Sequence, residues 1–101
     1  MRSYKFFKSM KTKEDIINQM RAEGFLIINE YNDAPSEEFP DHDHEGDQFL
    51  VVLSGSITIT MDGKVSILLP GDEMFFPAHV IHSAKVGPEG CLYIDGERSN
   101  E

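Results

Sequence analysis

Apolar positions in this chain recur at two different periods. Over residues 12–23, Ile16, Ile17 and Met20 form a stripe at helical spacing. Thr12 is placed to cap that helix, Glu14 and Asp15 sit in its first turn, and Gly24 is placed to end it. From residue 25 onward the period drops to two. Phe25–Ile28 is a short apolar run, and Asn32–Pro40, with two prolines, reads as loop. Gln48–Leu53 reads as a strand ended by a turn at Ser54-Gly55. Ile57, Ile59 and Met61 then alternate with Ser56, Thr58 and Thr60, the pattern of a half-buried strand. Asp62-Gly63 is a strong hairpin signal, Val65–Leu69 returns, and Pro70-Gly71-Asp72 turns again. Met74–Phe76, Val80–Val86 and Cys91–Ile94 complete the strands, with Gly87–Gly90 read as a turn. Short strands with turn signals every ~8–12 residues predict an all-β antiparallel sandwich or barrel.

The expected organisation is one domain over 1–101, with an N-terminal arm and helix at 1–24, a β-barrel at 25–95 and a polar tail at 96–101, the chain being expected to fray from Asp95. Within the arm, Tyr4, Phe6 and Phe7 suggest an edge strand or a packed segment. One further pattern bears on assembly. In Gln48–Leu53 the even positions follow one face, yet Phe49, Val51 and Leu53 on the other are also apolar. A strand apolar on both sides must be covered on both, by the arm, the helix or a second subunit.

A formal net charge of −9 repels polyanions and argues against nucleic acid as a partner. The single cysteine, Cys91, cannot form an internal disulfide, which fits a reducing, cytoplasmic setting, and a small buried apolar role is expected for it. The N-terminal residues alternate apolar with basic and lack the apolar core of a signal peptide. No apolar run has the length of a membrane-spanning helix, so no membrane partner is expected.

The chemistry concentrates in Pro40-Asp41-His42-Asp43-His44-Glu45-Gly46-Asp47-Gln48. Histidines at i and i+2 on an extended chain point to one side, so His42 and His44 can reach one ion. With a turn at Gly46, Gln48 can return to that face. His82 lies in a later strand, and a small barrel brings such distant positions together. Three neutral imidazoles plus one oxygen suit a divalent transition metal: Fe, Mn, Ni, Co or Zn. The plain alternative for His42 and His44 is an acidic loop with adventitious metal affinity; for Gln48 it is a structural amide. Asp41 and Asp43 should face solvent by alternation, with Glu45 and Asp47 as outer acidic groups. Met61, Met74, Phe75 and Phe76 are core residues that can also line a pocket.

These residues resemble the cupin family. Its first motif, Gly-x5-His-x-His-x3,4-Glu-x6-Gly, is matched by His42, His44, Gln48 and Gly55. Its second, Gly-x5-Pro-x-Gly-x2-His-x3-Asn, is matched by Gly71, Pro77 and His82. Ser36, Gln48, His79 and Val86 stand where the motifs have Gly, Glu, Gly and Asn. The resemblance implies a double-stranded β-helix, or jelly-roll barrel, with one short N-terminal helix. It also implies a metal held by His42, His44, Gln48 and His82, a small-molecule ligand in the barrel, and a homodimer. The neutral Gln48 would leave more net charge on the ion than a glutamate would. His79 is a weak candidate for proton transfer, a solvated turn residue being the alternative. The function expected is a metal-dependent enzyme of dioxygenase or isomerase type acting on a small organic molecule. The alternatives are a non-catalytic binding or sensing module, and a barrel whose metal only stabilises the fold.

Overall fold

In the computed structural model residues 11–99 are described, so the expectations for Tyr4, Phe6 and Phe7 fall outside the described residues. The described chain runs through helix α1 (Lys13–Ala22) and strands β1 (Ile27–Asp33), β2 (Glu38–His42), β3 (Asp47–Met61), β4 (Lys64–Leu68), β5 (Glu73–Phe76) and β6 (His82–Arg98). α1 forms as its sequence predicts. The Thr12 side chain accepts from the Asp15 amide, the Asp15 carboxylate accepts from the Thr12 amide, and Gly24 follows at φ +90°.

All pairings are antiparallel, in the order β1-β6-β3-β4, with β2 on β6 and β5 on β3. The two long strands, β3 and β6, form the spine of the barrel. The first part of β3 pairs with β5 and the last part with β4. Likewise β6 pairs with β2 near its start and β1 near its end.

Each spine strand changes phase once. In β3, Gln48, Leu50 and Val52 face the interior, and beyond the irregularity so do Ile57 and Ile59. In β6, His82, Ala84 and Val86 face in, and then Cys91, Tyr93 and Asp95. An even-to-odd switch on one face requires an extra residue, which is a bulge. The register shifts fall at Val52/Ser54 and Gly55/Ile57, with Gly55 opposite Cys91. Gly55 has φ +76°, and a Cβ there would lie 2.0 Å from the Gly90 carbonyl oxygen. The turns expected at Ser54-Gly55 and Gly87–Gly90 are therefore bends within continuous strands. By contrast Asp62-Gly63 is the tight hairpin expected, with both residues at positive φ and Met61 paired with Lys64.

Other boundaries also differ from those expected: β2 starts at Glu38, within the expected loop, and the strand expected from Val80 starts at His82. β1 begins at Ile27 and runs to Asp33, because Phe25 turns under α1 and the pairing with β6 carries into the expected loop. The polar segment after Ile94 is not frayed: β6 continues to Arg98 with β1 on one side and β3 on the other. Arg98 ties this end down. Its guanidinium donates to the Asp47 carboxylate at 3.0 Å and to the Glu23 carbonyl at 2.6 Å, and lies over the Phe25 ring.

The doubly apolar stretch of β3 divides between two cores. Leu50 and Val52 join Ile57, Ile59, Leu68, Phe76, Val86 and Cys91 inside the barrel. Val51 faces the opposite way, against Ile16, Met20, Phe25 and Ile94, with Phe49 and Leu53 at the edge. The helix thus covers the second face.

Candidate metal centre

The three motif histidines come from separate places and converge. His42 ends β2, His44 follows in the loop to β3, and His82 opens β6 directly opposite His42. Ring centroids are 4.4 Å apart for His42 and His82, 5.2 Å for His42 and His44, and 5.5 Å for His44 and His82. One nitrogen from each ring lies within 4.8 Å of the others.

The other nitrogen of each ring is held from outside. His42 Nδ1 lies 2.7 Å from the Pro40 carbonyl and His82 Nδ1 lies 3.1 Å from the Val80 carbonyl. A carbonyl can only accept, so both Nδ1 atoms carry the proton and both Nε2 atoms present a lone pair. His44 Nδ1 faces the Glu97 carboxylate at 3.6 Å, while His44 Nε2 is buried with no partner. Burial lowers the His82 pKa, and the neighbouring His42 and His44 lower it further, against the Val80 carbonyl and Asp43, which raise it. The neutral form, the one that binds metals, is thereby favoured.

Gln48 is buried in β3 beside these rings. Its Nε2 donates to the buried Asp95 carboxylate, and its Oε1 has no partner. An unmet buried acceptor costs about 1–3 kcal/mol. Two such lone pairs, His44 Nε2 and Gln48 Oε1, beside two further imidazole lone pairs fit a cation bound among them. His42, His44 and His82 can hold one.

The cavity next to this cluster has a volume of about 190 Å³. Phe39, Leu50, Ile57, Ile59 and Phe76 give it apolar walls; Tyr93, Asp95 and Glu97 give it a polar one. Of the aromatic and methionine residues expected to line a pocket, Phe76 does so, Met61 and Met74 pack against the core, and Phe75 is exposed. Asp95 and Glu97 were missed by the sequence reading, which placed the frayed tail there. Their signal is the alternation Cys91, Tyr93, Asp95, Glu97, which continues the inward face of β6. Burial, with the nearby Glu97 charge, pushes the Asp95 carboxyl up to about 7, against the hydrogen bond from Gln48 that lowers it.

The remaining sequence candidates lie elsewhere. His79 is exposed at φ +69°, 3.8 Å from the Asp43 carboxylate, and does not line this cavity. Asp41, Asp43 and Glu45 are exposed. Asp47 is engaged by the Ala78 amide and Arg98, whose hydrogen bonds hold its carboxyl below the usual range against the cost of burial. The acidic groups that line the cavity are thus Glu97, 3.6 Å from His44, and Asp95, bonded to Gln48, rather than Glu45 and Asp47.

A jelly-roll barrel with inward histidines on facing strands defines a class of metal-site proteins. The chain belongs to the cupin family: the family model described as "Cupin domain" matches residues 29–97. Among solved structures, a cupin from Shewanella frigidimarina is similar at 29% identity and a TM-score of 0.65, covering 74% of this chain and 68% of that one. A cupin superfamily protein from Desulfitobacterium hafniense matches at 25% identity and 0.65, covering 71% and 66%. A conserved protein of unknown function from Streptococcus pyogenes matches at 24% and 0.66, covering 73% of this chain and 64% of its own. These matches span about two thirds of each of those chains. No curated protein matches.

Proposed function

We propose that this cupin is a metal-dependent enzyme acting on a small organic molecule held in the barrel. The observation that carries the reading is the convergence of three imidazoles and an unpartnered amide oxygen beside a small, mostly apolar cavity. His42, His44 and His82 would hold a divalent ion through Nε2, with Gln48 Oε1 as the fourth protein donor. When bound, that ion supplies Lewis-acid or redox chemistry to a ligand oxygen. Four protein donors leave positions open on an ion that takes five or six ligands.

The rest of the chemistry falls to the chain. Leu50, Ile57, Ile59 and Phe76 exclude water and shape the space around the ligand. Tyr93, Asp95 and Glu97 offer polar groups across from them to orient a hydroxyl or amine. Tyr93 donates to Asp33 at 2.6 Å, which fixes its ring in the wall. Gln48, being neutral, leaves the ion's charge undiminished, favouring an anionic oxygen ligand. A reducing cytoplasm suits the site, since Cys91 is free and buried. A homodimer would use the exposed apolar row of Val65 and Ile67 on β4 and Leu69 just beyond it.

The test is reconstitution of metal-stripped protein with iron, manganese, nickel, cobalt or zinc. Each form is then screened for turnover and oxygen consumption on small diols, thiols and diketones. One ion per chain and turnover with at least one metal are expected, both lost in His82→Ala. Full metal stoichiometry in His82→Ala would remove the reading.

A further inference from the structure

We infer that Asp95 is a positioning residue that turns the oxygen of Gln48, rather than its amino group, toward the metal. The inference rests on the metal-centre reading above and deepens it. A carboxamide has two nearly isosteric ends of opposite character. The oxygen attracts a cation, whereas the NH2 group presents two positive hydrogens and repels one. Packing cannot distinguish the ends, so a hydrogen bond must. Gln48 has one to give: Nε2 donates to Asp95 Oδ1, leaving Oε1 buried without a partner. The Asp95 oxygen that faces the amide is in use as an acceptor, and an acceptor there selects the amino end.

The placement follows from the spine of the barrel. β3 and β6 pair Gln48 with Glu97 and Leu50 with Asp95, so Asp95 is the diagonal neighbour of Gln48 on the inward face. Asp95 is 5% exposed, an expensive place for a carboxylate in a wall of apolar side chains. The Gln48 amino group is the donor aimed at it, and the Gln48 oxygen on the far side of that amide is the one left without a partner. Where the family motif has a glutamate ligand, no such selector is needed, because both carboxylate oxygens can bind. The departure at Gln48 and the acid at Asp95 therefore belong together.

A double-mutant cycle on the full chain tests this, read as manganese and zinc affinity by calorimetry on metal-stripped protein. Asp95→Asn in the wild-type background frees the Gln48 amide to turn over, and metal binding should weaken ~10-fold. Gln48→Glu alone sets two carboxylates against each other. Adding Asp95→Asn to it supplies an N–H donor to the new carboxylate, and binding should tighten ~10-fold. The sign of the Asp95→Asn effect thus reverses between backgrounds. Mere loss of a negative charge near the ion would weaken binding in both. Equal signs, or no effect, would overturn the inference.

Should the variants not fold, wild-type protein labelled with 15N-glutamine gives the answer. The Gln48 side-chain amide, resolved from Gln19, should be protected from hydrogen exchange; a freely exchanging amide overturns the inference. Wild-type protein that binds no metal defeats the metal-centre reading and the inference together. Binding lost in His82→Ala but without sign reversal defeats the inference alone.

Discussion

The nitrogen that each histidine exposes decides whether this barrel can bind a metal. Backbone carbonyls of Pro40 and Val80 hold Nδ1 of His42 and His82, two residues upstream in both cases, so the chain sets its own tautomers locally. The same burial that keeps His82 neutral acts on Cys91, which is 1% exposed and whose thiol is pushed up to about 11, with a smaller push from Asp33. The folded protein should therefore resist iodoacetamide at pH 8 and react on unfolding. The unfolded thiol titrates near 9.0 while the folded one keeps its proton, so the unfolded state sheds protons first. Stability should fall as pH rises from about 9 to about 11, and Cys91→Ala should flatten that part of the urea-midpoint profile. Rapid labelling of folded protein at pH 8 would contradict this burial. The histidines were legible because their spacing states a geometry outright. Asp95 and Glu97 were not, since a short charged run near a chain end is usually solvated, and only the pairing of β6 between β1 and β3 turns two of its members inward.

Among the elements, the two bent strands do most to create the site. The bulges let β3 and β6 each contribute to both ends of the barrel, bringing Gln48 and His82 to one cavity. Gly55 is central, with φ +76° and no room for a Cβ against the Gly90 carbonyl. Gly55→Ala should cost about 3 kcal/mol or more. Gly63→Ala, at φ +74° with nothing within 4 Å, should cost only about 1 kcal/mol. Denaturant midpoints compare them directly, and equal losses would mean that the bend tolerates a side chain. The helix and the Asp62-Gly63 hairpin could be read in advance because capping and positive-φ turns leave local signatures. Glycine alone does not distinguish a turn from a bulge. The phase change from Gln48, Leu50 and Val52 to Ile57 and Ile59 does, but only once a continuous strand is considered.

Across the whole molecule, the helix closes one face of the sheet and the barrel closes the other, which leaves the interior free for a ligand. The chain is small, with little surplus stability of its own, so an ion bound at this site would add substantially to it. Jelly-roll topology was legible from strand spacing together with the two motifs. The acidic wall of the cavity was not, because it arises from cross-strand register between distant segments. The central claim is that three imidazoles share one ion, and anomalous X-ray scattering at a metal edge tests it most directly. The account predicts a single peak ~2.0–2.2 Å from Nε2 of His42, His44 and His82. No peak there in metal-soaked crystals, or one between Asp43 and His79 instead, would contradict it.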